Sequence, residues 1–247
     1  MPRLSLIIAT YNDAIGLARC LDSIDQQTVR ADCEVLVFDN ASSDGTVELL
    51  KGRSDRLDHW ESERDRGIYH AWNKAIARAS GDYVAFVGAD DYYASPTALQ
   101  QLLELTVGQP DLVSGRNAYY SPEGKFLRNW GYAWDWQRMR ESMILSHPGL
   151  LMRRSLFDRI GLFDERFRIC GDYDWLLRLP PDLKAVHTNQ VILCLNMGGV
   201  SNTQVGRVFA ETFRAQRRQP DLGLWRSGAY WLLNWLKYGR RKLIGLA

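Results

Sequence analysis

The sequence predicts an α/β fold in which a doubly wound sheet is covered on both faces by helices. Two runs, LSLIIAT at residues 4–10 and CEVLVFD at 33–39, are short, almost wholly apolar and rich in branched side chains. Such runs are typical of strands that are buried on both faces. Each is followed by a segment with helical spacing, and strands that alternate with helices predict βαβ units and a largely parallel sheet.

The first two helices are indicated by their periodicity and by their ends. At residues 14–28 apolar side chains recur at three-residue steps from Ile15 to Ile24, which places them on one helix face. The segment 43–52 begins with residues that favour a helix N-terminus and ends at Gly52, a residue type that commonly closes helices. We therefore expect one helix after each of the first two strands.

The alternation continues as far as the fourth strand. A weaker strand at 57–61 precedes a helix at 67–81, whose apolar residues between Ile68 and Ala79 share one face. The run DYVAFVG at 82–88 then predicts a fourth buried strand. In open α/β sheets ligands bind beyond the carboxyl ends of the strands, so the residues that follow each strand are the first candidates for a site.

Length and charge indicate one large domain with a basic appendage. The chain has 247 residues, of which 46% are hydrophobic and 24% charged, which is enough apolar material for a large core. Its net charge is only +2, yet residues 207–247 hold nine Lys and Arg against Glu211 and Asp221. We expect a domain at 1–206 and, at 207–247, an amphipathic helical appendage that meets something anionic.

The cysteines and the N-terminal residues indicate the cellular compartment of the protein. The four cysteines are scattered and show neither a CxxC pair nor a Cys/His spacing typical of zinc sites. Four cysteines in a chain of this length are too few for a disulfide scaffold. Met1-Pro2-Arg3 leads directly into an apolar strand, so we expect no secretory signal and a cytoplasmic protein.

Polar and acidic residues follow three of the predicted strands, at the edge where ligands bind. The residues from Thr10 to Asn12 end the first strand, Asp39 ends the second, and the tandem pair of Asp90 and Asp91 ends the fourth. Taken singly, each group is well explained by a turn or a helix cap. The coincidence of three strand ends favours a ligand site.

The absence of two glycine motifs narrows the choice of ligand. The sequence has no G-x-G-x-x-G after the first strand and no G-x-x-x-x-G-K-[ST], so it lacks the dinucleotide and P-loop phosphate cradles. A nucleoside diphosphate would therefore need another source of positive charge. A carboxylate such as Asp91 is a hard oxygen ligand that suits Mg²⁺ or Mn²⁺, which bind through one or two carboxylates and substrate phosphates.

Five segments follow one another along the chain: SLIIATYND at 5–13, VFDNASSDGT at 37–46, ERDRGIYHAWNKAI at 63–76, GADD at 88–91 and CGDYDWLLRL at 170–179. In this order they resemble family 2 glycosyltransferases with the GT-A fold, over about residues 3–200. Within them, GIYHAWNKAI at 67–76 is similar to the G-I-Y-D-A-M-N-K-G-I of a subgroup that makes bacterial exopolysaccharide, O-antigen and glycolipid sugars. The stretch MGGVSNT at 197–203 resembles the same subgroup.

The resemblance implies a Rossmann-like, doubly wound mixed sheet and a sugar transfer from a nucleotide-diphosphate donor, most often a UDP-sugar, to a hydroxyl group. The nucleotide-sugar-binding half would span about 1–115 and the acceptor half about 116–206. The resemblance further implies a bound Mn²⁺ or Mg²⁺, and a glycan or lipid-linked acceptor in the synthesis of surface polysaccharide or glycolipid.

The resemblance also assigns roles to residues of the donor half. Asp39 would accept a hydrogen bond from the base, Tyr11 would pack near that base, and Asp65 would face the nucleoside. Asp90 would contact the ribose or the sugar, and Asp91 would bind the metal ion that bridges both phosphates. The other residues expected in the nucleotide-sugar site are Thr10, Asn12, Gly67 and Asn73.

The chain departs from the subgroup at three positions. His70 and Trp72 stand where the subgroup carries Asp and Met, and Gly171 stands where it carries an acidic residue. We expect His70 on a partly exposed helix face, Trp72 in the core, and Asp44 as the cap of the helix at 45–52. The three departures leave the transfer chemistry in place and bear on the choice of donor sugar and acceptor.

Asp172 is the candidate general base, which would accept the proton of the acceptor hydroxyl. It precedes the helical stripe of YDWLLRL, where a carboxylate is also a favourable N-cap. The position of Asp172 before the helical stripe fits a general base and a helix N-cap equally well, and the resemblance favours the general base. We expect Asp174 to pair with Arg178. Direct attack by the activated hydroxyl would invert the anomeric centre without the second carboxylate that glycosidases use.

Three residues are candidates for contacts with the acceptor or the diphosphate: His147, Gly171 and Tyr173. His147 aligns with a histidine that the subgroup also carries, although a lone histidine is more often structural. Arg153 and Arg154 carry charges that attract phosphates, and the alternative for both is a solvated helix start.

The segment 223–247 mixes aromatic side chains, leucines and five cations with no acid. Its longest apolar run is shorter than the roughly 20 residues that a membrane-spanning helix needs. Two interpretations remain: a segment lying on an anionic membrane, where it would bring the enzyme to a lipid-linked acceptor, or an amphipathic helix packed on the domain. No nucleic-acid-binding module is recognisable, so we expect a peripheral protein at the inner face of the cell membrane and no nucleic acid partner.

Two other functions are compatible with such a sheet. A non-catalytic module that binds glycans or membranes would not need Asp172. A nucleotidyltransferase would normally carry a glycine-rich basic loop after its first strand, and ATYNDAIG at 9–16 is not one.

Overall fold

A computed structural model describes residues 3–220 and 222–243 of the chain. Within these residues a mixed sheet of nine strands forms the centre, and helices cover both of its faces. The strands are β1 (Leu4–Thr10), β2 (Cys33–Asp39), β3 (His59–Ser62), β4 (Tyr83–Gly88), β5 (Tyr92–Tyr93), β6 (Leu112–Tyr120), β7 (Phe126–Trp130), β8 (Leu151–Arg153) and β9 (Ala185–Asn196). The helices are α1 (Ala14–Asp25), α2 (Thr46–Gly52), α3 (Ile68–Arg78), α4 (Ala98–Glu104), α5 (Trp136–Glu141), α6 (Ser155–Ile160), α7 (Gly171–Leu177), α8 (Val200–Thr203), α9 (Val205–Arg217) and α10 (Gly223–Leu243).

The strand order is β3-β2-β1-β4-β8-β6-β9-β5, and β7 pairs with β6. The first four strands of the chain are parallel, and β8 runs antiparallel between β4 and β6. Register brings Thr10, Asp39 and Ser62 side by side at the carboxyl ends of β1, β2 and β3. One edge of the sheet therefore gathers the residues that follow these strands.

Two hydrophobic cores form because alternate residues of the central strands point to opposite faces. Ile7 and Phe86 join the core that includes residues of α3 and α7, whereas Ile8 and Val87 join the core with α1 and α4. Trp175 of α7 is fully buried in the first core, so this helix is firmly seated on the sheet. The sheet is thus rigidly enclosed up to its carboxyl edge.

The strands predicted at 4–10 and 33–39 are confirmed residue for residue, and the fourth strand starts one residue later than predicted. The expected mixed α/β fold is confirmed. The sheet is less parallel than the βαβ pattern alone suggests, because β5, β7 and β8 pair antiparallel to their neighbours. These strands lie beyond residue 88, where the regular alternation ends.

The first two helices are shorter than predicted. The first ends at Asp25, and the Gln27 amide bridges Ser95 O at 2.9 Å and the Leu99 N–H at 3.0 Å. The second helix begins only at Thr46, because the residue before it is a glycine in the left-handed region, with φ of +102°. The amide group of Gln27 thereby ties α1 to α4.

The C-terminal helices pack on the domain. Phe209 of α9 stacks on Trp235 of α10 with ring centroids 4.2 Å apart, and Asn234 donates a hydrogen bond to Glu141 O at 2.9 Å. The opposite side of α10 is open to solvent, where Trp225 is 89% exposed. The helix thus has one face packed, as one interpretation expects, and one exposed apolar face. Among the described residues, no helix combines the length and the apolarity needed to cross a bilayer.

Candidate active site

A pocket of about 160 Å³, the edge pocket, lies at the carboxyl ends of β1 and β2. Tyr11 is 61% exposed in its wall, so its ring is free to stack on a flat ligand. Gly67 has φ of +138°, a conformation that L side chains rarely adopt, so the turn into α3 requires glycine. The pocket is lined by Ala9, Thr10, Tyr11, Phe38, Asn40, Asp65, Gly67, Ile68 and Ala71.

Asp65 supplies the negative charge of the edge pocket. Its Oδ1 atom lies 2.8 Å from His70 Nδ1 and 2.9 Å from Lys74 Nζ, and its backbone N–H donates to Asn40 Oδ1 at 2.6 Å. These contacts hold the carboxylate in one position and balance its charge. The partly buried His70, predicted on a helix face, is thereby a direct neighbour of the pocket wall.

Asp39 and Asn12 organise the loop beneath the edge pocket and do not line it. Asp39 is 1% exposed, and its carboxylate accepts hydrogen bonds from the Ser42 N–H at 2.9 Å and from Ser62 Oγ at 2.5 Å. Asn12 receives the Ser43 N–H at 2.9 Å on its side-chain oxygen. The expected hydrogen bond from a base to Asp39 stays a prediction, and its oxygens already have serine partners.

A second cavity of about 340 Å³, the central cleft, adjoins the edge pocket, since Ile68 lines both. It runs from the end of β4 to the start of α7 and brings together the tandem aspartates, His147 and Asp172. It is lined by Ile68, Trp72, Phe86, Val87, Gly88, Asp90, Asp91, Tyr119, His147, Pro148, Ile169, Asp172, Leu195, Asn196, Gly199 and Ser201.

The tandem aspartates form the acidic wall of the central cleft. Asp91 is 5% exposed, and its Oδ2 atom accepts the Gly88 N–H at 3.2 Å. Burial, and then the charge of Asp90, raise the pKa of Asp91 to about 8. Burial also raises the pKa of Asp90. Within the described residues neither carboxylate forms a salt bridge; the nearby charge of Arg19, which donates to Asp90 O at 2.6 Å, offsets the rise of both pKa values only in part.

A divalent cation fits this wall. A buried carboxylate with one backbone hydrogen bond and an unbalanced neighbour is stabilised by a positive charge, and oxygen ligands suit Mg²⁺ and Mn²⁺. The described residues contain no group of three or more His, Cys, Asp or Glu side chains placed to hold a metal ion. Ligands beyond Asp91 and Asp90 would therefore come from water and from substrate phosphates, as is usual for Mg²⁺ sites.

Asp172 lies in the first turn of α7 and faces the central cleft. Its Oδ1 atom accepts the Tyr69 hydroxyl at 3.3 Å and the Tyr173 N–H at 2.8 Å. It does not cap the helix, because the N-cap position is Cys170. The capping interpretation of Asp172 is therefore wrong. The carboxylate that binds the N–H groups ahead of α7 is Glu211, which accepts those of residues 168, 169 and 170 at 2.9–3.1 Å.

Tyr69 and Glu211 are positioning residues that the sequence did not reveal. The Tyr69 hydroxyl donates to Ile169 O at 2.5 Å and accepts the Gly171 N–H at 2.7 Å, so it ties α3 to the start of α7. Glu211 does the same from α9. The one signal in the sequence was that Glu211 is an acid in a strongly basic segment.

His147 is buried between the cleft and the core. Its ring stacks on Trp72 at 5.2 Å and on Phe86 at 5.5 Å, and its Nδ1 atom lies 4.0 Å from Asp172 Oδ2. Burial lowers the pKa of His147, while the charge of Asp172 opposes this shift. The imidazole is therefore neutral near pH 7. Trp72 packs in the core, as expected, and also lines the cleft.

Three predicted site residues are occupied elsewhere. The Asn73 amide exchanges hydrogen bonds with the backbone of Phe163, at 3.0 Å in both directions. Gly171 lies against the ring of Tyr69, where a Cβ atom would come within 2.7 Å of ring carbons. The buried Tyr173 hydroxyl donates to the backbone of α5 at 2.7 Å. All three support the walls of the site from behind, and none of them lines the edge pocket or the central cleft.

Arg153 and Arg154 lie away from the site. Both line a separate cavity of about 370 Å³ at the amino end of β4, with Asp82 and Tyr83. Arg154 donates from Nε to Gly81 O at 2.9 Å.

The ion pair predicted between Asp174 and Arg178 is confirmed, with an N–O distance of 3.6 Å.

A sequence model of the Glycosyl transferase family 2 matches residues 5–161, more than half of the chain. The chain belongs to glycosyl transferase family 2. The PGL/p-HBAD biosynthesis glycosyltransferase of Mycobacterium bovis is 32% identical over 216 residues, which are 84% of this chain and 82% of the relative. Glycosyltransferase AglE of Haloferax volcanii is 31% identical over 191 residues, which are 72% of this chain and 61% of AglE. The subgroup defined by the decapeptide at 67–76 stays a prediction.

Solved structures of glycosyltransferases share the fold of this family 2 member. S. aureus TarS 1-349 in complex with UDP-GlcNAc superposes with a TM-score of 0.71 at 17% identity, over 89% of this chain and 68% of that one. Mannosyltransferase PcManGT from Pyrobaculum calidifontis, in complex with GDP-Man and Mn²⁺, gives 0.66 at 22% identity, over 93% of this chain and 70% of that one. A longer TarS chain is covered to 40%. At these identities the likeness concerns the fold.

Proposed function

We propose that this family 2 glycosyltransferase is an inverting enzyme that moves a sugar from a nucleotide-diphosphate donor, a UDP-sugar, to a hydroxyl of a glycan or lipid-linked acceptor. The observation that carries the proposal is the central cleft, in which Asp91 and Asp172 line one cavity that adjoins the edge pocket. Asp91 would help to stabilise the leaving group, and Asp172 would deprotonate the incoming hydroxyl. The UDP-GlcNAc bound to TarS and the GDP-Man bound to PcManGT support a nucleotide-sugar donor.

The nucleoside would occupy the edge pocket. Tyr11 offers an exposed ring for stacking on the base, and Asp65 offers a fixed carboxylate that accepts an N–H group. The diphosphate would then extend past Ile68 into the central cleft, towards Asp90 and Asp91. In this arrangement the base is read by the edge pocket, and the sugar lies in the cleft.

Asp91, with Asp90 beside it, would hold Mn²⁺ or Mg²⁺. When bound, such an ion acts as a Lewis acid that stabilises the departing diphosphate without moving a proton. The buried position of Asp91 excludes water from one side of the carboxylate, which strengthens its attraction to a cation. The two aspartates would thus supply the anchoring charge, and the donor diphosphate and water would supply the remaining oxygens.

Asp172 would accept the proton from the acceptor hydroxyl while that oxygen attacks the anomeric carbon. The Tyr69 hydroxyl and the Tyr173 N–H fix one carboxylate oxygen, Oδ1, at 3.3 Å and 2.8 Å. The other oxygen, Oδ2, has the neutral His147 ring 4.0 Å away and is available to a substrate. Attack opposite the leaving group inverts the anomeric configuration in one displacement.

The first experiment measures thermal shifts with UDP and with GDP, each with and without Mn²⁺. At 100 times the dissociation constant a ligand adds about 2.7 kcal/mol of stability, or about 5–10 °C for a chain of this size. We expect a shift with UDP and Mn²⁺ together, which Asp91→Asn abolishes and the exposed control Asp55→Asn retains. A larger shift with GDP, or none with either nucleotide, would contradict the proposed donor.

The second experiment separates binding from transfer. Asp172→Asn should keep the shift with UDP and Mn²⁺ and lose transfer by at least a hundredfold, since general base catalysis contributes typically 10²–10⁴-fold. Asp158→Asn, on the exposed face of α6, is the matched control. Full turnover by the Asp172 variant would remove the base assignment. Absence of transfer by the wild type with every donor tested, together with retained nucleotide binding, would instead favour the non-catalytic binding module.

We also propose that α10 attaches the enzyme to an anionic membrane surface. Trp225, Leu232 and Leu236 are 89%, 55% and 63% exposed, and their spacing places them on one side of the helix. Arg226 and Arg240 are exposed on the same helix, which carries no acid. Exposed aromatic and aliphatic side chains beside cations are typical of helices that lie in the membrane interface.

Replacing Trp225, Leu232 and Leu236 together by serine tests the attachment. We expect the variant to lose sedimentation with vesicles of phosphatidylcholine and phosphatidylglycerol. The matched control carries serine at three exposed apolar positions elsewhere, Ile15, Val107 and Leu162. Equal sedimentation of the two variants would refute attachment through α10.

A further inference from the structure

A groove of about 360 Å³, the aromatic groove, lies between the β6–β7 hairpin and the C-terminal helices, apart from both cavities of the active site. Its walls come from β7, α5, α9 and α10, which meet only in the folded chain. Three cations and several aromatic rings line it, including Arg128, Arg138, Lys237, Trp130, Tyr132 and Tyr238.

All charged residues that line the aromatic groove are cations. Its lining includes Arg128, Arg138 and Lys237 and contains no Asp or Glu. In the described part of the chain none of these three cations forms a salt bridge. Arg138 lies over the Tyr132 ring at 5.0 Å, which orients its guanidinium group. Three unpaired cations around one concave surface are an arrangement that an anion stabilises.

The rings give the groove an apolar floor beside these charges. Trp130 and Tyr132 meet edge to face at 6.2 Å, and Tyr238 packs at right angles against Trp235 at 6.0 Å. Flat rings of this kind pack well against sugar faces or alkyl chains, and Arg and Lys bind phosphate oxygens. The ligand class that matches both features carries a phosphate next to an apolar or sugar part.

Contacts between rings connect this groove to the central cleft. Tyr119 of β6 lines the cleft, and its ring lies edge to face with Trp130 at 6.2 Å. Arg128 lies over the same Tyr119 ring at 5.7 Å. A molecule in the groove is therefore separated from the cleft by the side chains of the β6–β7 hairpin, on the acceptor half of the chain.

We propose that the aromatic groove binds the phosphate group of the acceptor, held by Arg128, Arg138 and Lys237, while the sugar or alkyl part lies on the rings. The role of the bound molecule as acceptor rests on the proposed function, whereas binding itself does not require transfer. The same chemistry is offered by a lipid-borne phosphate at the membrane that α10 faces and by a soluble phosphate ester. The acceptor would thus be anchored beside the cleft and would reach Asp172 with its hydroxyl.

The test compares two variants of the full chain that lose the same charge. The groove variant is Arg138→Gln with Lys237→Gln, and the matched control is Lys51→Gln with Arg159→Gln, two exposed cations that lie outside the groove and outside α10. Binding is measured by sedimentation with phosphatidylcholine vesicles containing either phosphatidic acid, which exposes a phosphate, or oleate, which exposes a carboxylate. A second arm measures thermal shifts with glycerol 3-phosphate while UDP and Mn²⁺ saturate the cleft.

We expect the groove variant to lose at least tenfold more affinity for phosphatidic acid vesicles than the control variant, and both to bind oleate vesicles alike. The variant Arg138→Lys with Lys237→Arg should restore binding to within threefold. If glycerol 3-phosphate shifts the melting temperature of the wild type and the control but not of the groove variant, a soluble phosphate ester is sufficient for binding. If glycerol 3-phosphate gives no shift while the phosphatidic acid vesicles bind, the groove requires a lipid-borne phosphate. Equal losses in the two variants, or no response in either arm, would overturn the proposal.

The thermal shift with UDP and Mn²⁺ separates this result from the proposed function. The groove variant should retain that shift, because its substitutions lie outside the edge pocket and the central cleft. If the wild type shows no shift with UDP and Mn²⁺, the donor assignment is refuted, and the vesicle comparison remains valid.

Discussion

Glu211 gives a direct test of how the candidate base is held in place, because one side chain of α9 organises the start of α7. Its carboxylate is 9% exposed. It accepts the backbone N–H groups of Arg168 at 3.0 Å, Ile169 at 2.9 Å and Cys170 at 3.0 Å. These are donors that no helical carbonyl satisfies, since they precede the first turn of α7. Asp172 follows two residues later.

The cost of removing this carboxylate follows from the number of donors. Glu211→Ala leaves three N–H groups without a protein partner, at roughly 1–3 kcal/mol each. Water can enter the space left by the side chain, so the lower end applies, and we expect a loss of about 3 kcal/mol in the free energy of unfolding. For a chain of this size that lowers the melting temperature by about 6–12 °C. Glu211→Gln keeps one acceptor oxygen and loses the charge, so we expect about 1 kcal/mol.

The assay pairs denaturant unfolding with steady-state transfer. Both variants should keep the shift with UDP and Mn²⁺, because the edge pocket is built from β1, β2 and α3. Transfer should fall in the order wild type, Gln, Ala, as the start of α7 loses its anchor. Arg217→Ala, on the exposed side of α9, is the control. An alanine variant with wild-type turnover and a stability loss below 1 kcal/mol would refute the reasoning.

Three further changes test other contacts. Gly88→Ala should abolish the shift with UDP and Mn²⁺ at unchanged circular dichroism, because its Cβ would come within 2.6 Å of Asp91 Oδ2; a normal shift would show that the carboxylate can move freely. Tyr69→Phe should cost about 1–3 kcal/mol of stability, since two buried backbone partners lose the hydroxyl, and urea unfolding measures it. Hydrogen bonds from Arg166 lower the pKa of Asp164, so this carboxylate stabilises the fold above its unfolded pKa of about 3.9 and less as pH falls below it. Asp164→Asn should therefore be less stable than the wild type at pH 7, and the difference should shrink below pH 4 in unfolding curves.

The parts of the fold that could be predicted are those fixed by local pattern. The strands at 4–10 and 33–39 are recognisable because every residue faces a core, so their apolar runs have clear ends. Their parallel register then places Thr10 beside Asp39 without further information. The tandem aspartates could be predicted at the same edge for the same reason, since β4 lies next to β1.

The remaining features depend on contacts between distant segments. Spacing left Asp172 open as a helix cap or a base, yet the N-cap position of α7 is Cys170, and Glu211, in a helix that follows β9, binds the N–H groups ahead of α7. Likewise Asp39 ends its strand as predicted, but Ser62 of β3 reaches its carboxylate from the neighbouring strand. Neither contact can be predicted from local residue spacing. Residue type shows which side chains can accept a backbone N–H group, and tertiary packing decides which of them does so.

The two candidate carboxylates, Asp91 and Asp172, lie in different segments of the chain. The family model ends at residue 161, so it includes the edge pocket and Asp91 but neither Asp172 nor Glu211. The proposed nucleotide side of the site therefore lies in the segment that the family model matches, at the ends of the central strands. The candidate base stands on a seven-residue helix that has Trp175 in the core and is anchored from α3 and α9. Because Glu211 anchors the start of α7 from α9, we expect substitutions at this position to shift Asp172 more than Asp91.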